Sequence, residues 1–266
     1  MIFTKRVVLI KFLVVFGLAH LALAGGPRKA NFAIRGVPQT CYLYDSSLRP
    51  AESPAALLVS GDGGWHGFIG EIAEHLAAAG YPIVGLDTKD YLESLSKPKA
   101  LEPGQVTSDF GMLFRFAREQ FRRNSLLLVG WSEGAGLVVL GALNSETRPN
   151  LRGVLAIGLP ELNELAWRWR DSAIYITKQV PNEPTFNSKD YVGRVAPLPL
   201  MMIQSTHDDF VPVVKAREIF ACAQTPKQLV FVQALNHRFE GNRDAFWQAV
   251  DRALTWFDTL AAKPSH

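Results

Sequence analysis

The sequence predicts an α/β protein built on a doubly wound, mostly parallel sheet. Three observations lead there. Short continuous apolar runs, such as Ala55-Ala56-Leu57-Leu58-Val59-Ser60, recur and end in turn residues; a run without polar alternation suits a strand covered on both faces. Between these runs, apolar residues recur at helical spacing. The two patterns alternate, which puts a helical crossover between successive parallel strands.

Taken in order, Asn31–Arg35 and Thr40–Tyr44 read as β-rich segments and 55–60 as the first strand of the parallel series. Phe68, Ile69, Ile72, Ala73 and Leu76 mark a helix that Gly80 stops. Tyr81–Leu86 is the next strand, followed by a helix over 105–122 with Val106, Phe110, Leu113, Phe114, Ala117 and Phe121 on one face. Leu126–Val129 (strand), Ala135–Leu143 (helix) and Val154–Ile157 (strand) continue the pattern. Leu198–Ile203, Val213–Cys222, Leu229–Val232 and Arg243–Leu260 close it as strand, helix, strand and helix. Two polar, Pro-containing stretches, 87–104 and 159–195, follow strands directly and break the rhythm. Ligands of open α/β sheets bind beyond the carboxyl ends of the strands, so both stretches are expected to be cover segments of a site.

The 266 residues, 48% of them hydrophobic, suit one folded domain over 25–266 and exclude a disordered or fibrous chain. Residues 1–24 carry Lys5, Arg6 and Lys11 and no acid, then an apolar run from Phe12, and end Ala22-Leu23-Ala24. A basic start, a short apolar run and an A-x-A end predict a cleaved secretory signal peptide and an exported, periplasmic protein. A membrane anchor is the competing reading, but the 13 residues Phe12–Ala24 fall short of the ~20 that a span needs. Without that segment, basic and acidic residues balance at 25 each, and no nucleic-acid partner is expected. Cys41 and Cys222 could bridge in an oxidising compartment or stay unpaired as small hydrophobes.

Gly130-Trp131-Ser132-Glu133-Gly134 is a G-x-S-x-G motif between an apolar strand and an apolar helix. That context is a nucleophile elbow, in which a sharp turn projects the serine oxygen above the sheet edge. A nucleophilic serine needs a base and a group that orients it, and α/β-hydrolases supply them in the order Ser, acid, His. His237 follows the last strand and is the expected base. The preceding strand ends in Thr206-His207-Asp208-Asp209-Phe210-Val211-Pro212, where Asp208, three residues before Val211, is the expected acid and Asp209 stays solvated or caps the next helix. The first long strand ends in Ser60-Gly61-Asp62-Gly63-Gly64-Trp65-His66. Its backbone is expected to supply the second oxyanion N–H at Asp62, the first coming from Glu133 at the helix start. G-x-x-x-x-G-K-[ST] and H-E-x-x-H are both absent from the sequence. A phosphate-binding loop is therefore not expected, and neither a metal nor a cofactor is.

Ala166-Trp167-Arg168-Trp169-Arg170-Asp171, read as a strand, puts two tryptophans on one face and two arginines on the other. Trp167 and Trp169 are expected to line a substrate pocket, joined by Trp65 and Trp131 beside the glycine loop and the nucleophile; an edge strand with Trp inward is the alternative. An arginine pair could hold a phosphate.

Gly61-Asp62-Gly63-Gly64-Trp65, then Gly80-Tyr81-Pro82-Ile83-Val84-Gly85-Leu86-Asp87 and Tyr91, resemble the bacterial VirJ/AcvB virulence-protein family. The likeness spans roughly residues 55–258 and is sharpest over 60–91 and at the elbow, where Trp131 and Glu133 replace the family's usual Tyr and Phe. The resemblance implies an exported α/β-hydrolase domain and, from AcvB-type members, hydrolysis of lysyl-phosphatidylglycerol. The expected function is thus a serine hydrolase of a carboxylic ester, with a membrane phospholipid as a candidate substrate. The alternative is a non-catalytic envelope or secretion-associated binding protein that kept the fold.

Overall fold

The computed structural model describes residues 26–50, 52–97, 99–167 and 184–262. The expected signal peptide, 1–24, lies outside them. Ten strands and seven helices of four residues or more are described, in chain order β1 (Arg28–Ile34), β2 (Val37–Tyr44), β3 (Ala55–Val59), α1 (Phe68–Ala78), β4 (Ile83–Leu86), α2 (Thr88–Leu95), α3 (Pro103–Phe121), β5 (Leu126–Trp131), α4 (Glu133–Gly141), β6 (Leu151–Ile157), β7 (Leu162–Glu164), β8 (Thr185–Asn187), α5 (Lys189–Val192), β9 (Leu200–Ser205), α6 (Val213–Cys222), β10 (Lys227–Val232) and α7 (Arg243–Ala261).

Eight strands form one sheet in the order β1-β2-β4-β3-β5-β6-β9-β10. The pairs from β4 to β10 are parallel, whereas β2 pairs antiparallel with both β4 and β1. The β1–β2 hairpin turns at Arg35-Gly36, both at positive φ, so the strand expected to include Arg35 ends one residue earlier. From β3 the chain crosses to β4 on one side and returns to β5 on the other. The crevice beyond the carboxyl ends of β3 and β5 is thus the topological switch point, where open α/β sheets bind ligands.

Alternation along the strands divides the core into two layers. Leu57, Val59, Leu126 and Leu128 face Phe110, Leu113 and Leu137 of α3 and α4. Ala56, Leu58, Leu127 and Val129 face Ile69, Ile72, Phe246 and Phe257 of α1 and α7. Cys41 is buried and Cys222 exposed, and both are free.

The stretch 87–104 departs from its expected role. Its first part winds into α2, whose Tyr91, Leu92 and Leu95 are buried on the α3 and α4 side of the sheet. Asp87 caps this helix by accepting from Asp90 N at 3.2 Å, and its other oxygen accepts from Trp65 N at 2.8 Å. Trp65 stacks on Tyr42, centroids 4.8 Å apart, and covers Gly85, where an added Cβ would lie 2.1 Å from its ring. Trp65, Gly85 and Asp87 of the 61–91 stretch therefore build a joint between the loop after β3 and the helix after β4.

Asp87→Ala removes a helix cap of about 1 kcal/mol and a part-buried hydrogen bond of about 1 kcal/mol. For a domain of this size the expected drop in Tm is about 4–8 °C; a shift below about 1 °C in a thermal melt would show that the carboxylate joins nothing.

Candidate active site

Ser132 occupies the single residue between β5 and α4, at φ 56° and ψ −125°. Such backbone is strained for a residue with a Cβ and persists only where the surroundings impose it. Here they do. A Cβ on Gly130 would lie 2.2 Å from Gly134 O, and one on Gly134 would lie 2.3 Å from the carbonyl oxygens of both Val59 and Ser60. Both glycines of the motif are therefore required by backbone-to-backbone approach, and α4 starts tight against the end of β3. Ser132 N donates to Ile157 O at 2.9 Å, which ties the turn to β6.

Asp208 and His237 come together across the end of the sheet. His237 Nδ1 lies 2.6 Å from Asp208 Oδ2. The other carboxylate oxygen accepts from Phe210 N and Val211 N, each at 2.9 Å, and Gln204 Nε2 donates to Oδ2 at 2.8 Å. Burial alone would raise the Asp208 carboxyl, but the hydrogen bond and charge of His237 and the Val211 and Phe210 N–H groups outweigh it and hold it below the usual value. His237 is 6% exposed, and its Nε2 has no hydrogen-bond partner among the described residues. Gly158, at positive φ, passes under the ring, where a Cβ would lie 2.6 Å from Cε1. Asp209 is exposed, as expected, and His207 turns its ring to Ala234 O at 3.0 Å.

Ser132 and His237 line one cavity of about 310 Å³. Asp62, Glu133 and Trp131 are in its wall, as are Pro160, Leu162 and Glu164 from the 159–195 stretch and Phe210 and Arg238 from the loops after β9 and β10. No described residue of 87–104 lines it. The Glu133 N–H sits in the first turn of α4, where no intrahelical acceptor exists. Trp131 Nε1 approaches His237 O at 3.4 Å.

Two of the tryptophans expected to contact substrate do not reach this cavity. Trp65 is taken up by the stack over Gly85, and Trp167 packs against the α3 and α4 layer with Lys89 Nζ 4.6 Å above its ring. Trp169, with Arg168 and Arg170, lies outside the described residues. Three contributors went unforeseen: Gln204, Gly158 and Glu164. Gln204 is a long polar side chain that interrupts the apolar run of β9 one residue before its end, which is the local signal that could have marked it.

The Glu133 carboxyl is 7% exposed and accepts a short hydrogen bond from Glu164 N. Burial first, then the nearby charges of Glu164 and Asp62, push its pKa well above the ordinary value of 4.5. A carboxyl that binds its proton more tightly in the fold than in the unfolded chain contributes stability fully below 4.5, and loses it as pH rises through the folded value. Glu133→Gln, which keeps an acceptor without the charge, is therefore expected to be more stable than the wild type at pH about 8. The gap should close towards pH 4.5, and denaturant midpoints across that range that stay parallel would contradict the raised pKa.

The family model described as Bacterial virulence protein (VirJ) matches residues 54–169. No curated protein matches the chain. Among solved structures, Est1E from Butyrivibrio proteoclasticus superposes with a TM-score of 0.64 at 13% identity, over 88% of this chain and 100% of its own. The esterase domain of a Rhodothermus marinus protein gives 0.61 at 21% identity, over 87% and 98%. The Pyrococcus furiosus esterase Pf2001 gives 0.60 at 14%, over 87% and 89%. At such identities the likeness is one of fold. The chain thus matches the VirJ model over residues 54–169 and has an α/β-hydrolase fold.

Proposed function

We propose that the protein is an exported serine hydrolase of carboxylic esters. The observation that carries the reading is the 2.6 Å Asp208–His237 hydrogen bond. It occupies Nδ1 and leaves Nε2 as the base, in the wall of the cavity that Ser132 also lines. Ser132 Oγ attacks the ester carbonyl while His237 Nε2 takes its proton, and Asp208 holds the tautomer and stabilises the imidazolium. The N–H groups of Glu133 and Asp62 take up the charge on the carbonyl oxygen. The imidazolium then protonates the departing alcohol, and water, deprotonated by the same His237, releases the acid and restores Ser132.

The cavity wall mixes carboxyls (Asp62, Glu133, Glu164) with apolar surface (Trp131, Leu162, Phe210). That mixture supports an ester with a polar head and an apolar portion, and the VirJ-type segment supports an aminoacylated phospholipid such as lysyl-phosphatidylglycerol. The basic start, apolar run and A-x-A end of residues 1–24 support export to the periplasm, where such lipids are accessible.

Ser132→Ala and Asp208→Asn are expected to lower turnover of a short-chain ester by about a thousandfold or more, and Asp209→Asn to leave it near wild type. Ser132→Ala should also abolish labelling by a fluorophosphonate probe; retained labelling and turnover would end the serine-hydrolase reading, and a larger loss in Asp209→Asn would reassign the acid.

The substrate is tested by incubating protein lacking residues 1–24 with vesicles containing lysyl-phosphatidylglycerol, beside a short-chain ester. Release of lysine that disappears in Ser132→Ala is the expected result. Cleavage of the short ester alone would leave an esterase with a different natural substrate.

A further inference from the structure

The loop that carries Asp208 is tied to the sheet by one buried side chain that the reaction scheme does not use. Gln204 lies in β9, is 1% exposed, and does not line the cavity. Its Nε2 has two hydrogens to give, and it sits 2.8 Å from Asp208 Oδ2 and 2.9 Å from Val211 O. Two acceptors at these distances fix the amide orientation, since a reversed amide would face both with its oxygen. Oε1 then has no partner among the described residues. The role of the amide follows from the two acceptors that it joins.

That role is visible in the carboxylate it serves. Asp208 Oδ1 accepts two backbone N–H groups, and Oδ2 is shared between Gln204 Nε2 and His237 Nδ1. Four donors fill the four lone-pair directions of the carboxylate, so its rotation is blocked. We propose that Gln204 is a positioning residue of the active site: it fixes Asp208 Oδ2 towards His237 Nδ1 and anchors the acid loop through Val211 O. The proposal rests on the Ser132–His237–Asp208 reading. Without the amide, the carboxylate can swing about its side-chain torsion and the imidazole follows it. The positive end of the amide dipole also leaves Oδ2, which concentrates the negative charge of Asp208 on the ring. The other charged or titratable groups in that wall are Asp62 and His66 after β3, Glu133 on α4, Glu164 on β7, Asp209 in the acid loop and Arg238 beside the base. All of them are unaltered by a change at 204.

The test uses Gln204→Met, which keeps the length without a donor, and Gln204→Asn, which keeps an amide too short to reach. With a short-chain ester, each is expected to lower kcat about 10- to 100-fold, by analogy with the loss on removing hydrogen-bond partners that orient metal ligands, and to leave KM within about twofold. The acidic limb of the kcat/KM profile is expected to move to higher pH, a change that a merely structural residue would not produce. A folded variant with wild-type kcat and an unmoved limb, or a loss confined to KM, overturns the proposal. Should both variants fail to fold, the wild type itself decides. In 15N-labelled protein the Gln204 side-chain amide protons should shift in step with the His237 titration, and protons indifferent to it refute the shared oxygen. Activity lost in Ser132→Ala but kept in Gln204→Met fails this proposal alone, whereas activity kept in Ser132→Ala fails the triad reading beneath it.

Discussion

The approach of α4 to the ends of β3 and β5 is the contact on which the rest of the site depends. Gly130 and Gly134 allow three backbones to meet where no side chain fits, and the turn between them is left with one conformation for Ser132. This arrangement also sets the distance between Ser132 and the glycine loop after β3, since a Cβ on Gly61 would lie 3.2 Å from Ser132 Cβ. The strain at Ser132 is thus held by the whole central sheet, in which β3, β5 and β6 are buried throughout apart from Arg152. A rigid frame of this kind is what preorganised oxyanion donors require.

Two buried carboxyls beside that turn are pushed in opposite directions by their surroundings. Asp208 is surrounded by donors and stays ionised against the effect of its burial. Glu133 is buried, has one donor and two like charges nearby, and its pKa is pushed up. In the proposed reaction the difference has a use: an anion behind His237 stabilises the ring when it becomes positive, whereas an anion at Glu133 would oppose negative charge growing near its own N–H. Environment, and not residue type, assigns the two roles.

Much of this was legible in the sequence because it is encoded locally. The parallel strands are continuous apolar runs, and Ser132, Asp208 and His237 each follow one of them. The short helix α2 was hidden because it has three buried apolar residues among polar ones, and its cap, Asp87, is engaged as much with Trp65 as with the helix. Trp65 looked like a substrate contact because glycines precede it, yet Gly85, twenty residues on, is what receives its ring. Gly158 meets His237 only after β6, β9 and β10 pair in the sheet, so no short window of sequence contains both. Gln204 stands only four residues before Asp208, but nothing in the spacing says that its amide turns back to the carboxylate.

The double use of Asp87 has a consequence for how this part of the chain can vary. One carboxylate holds the loop after β3 and the helix after β4, and its oxygens lie 3.1–3.2 Å from where a Cβ on Gly64 would be. Gly64, Trp65, Gly85 and Asp87 are therefore interlocked, and a replacement at one leaves the others without their counterpart. Among homologues these four positions should drift as a unit, inherited or exchanged together. A chimera whose junction falls between 65 and 85 would inherit mismatched halves of the joint even if every strand were preserved.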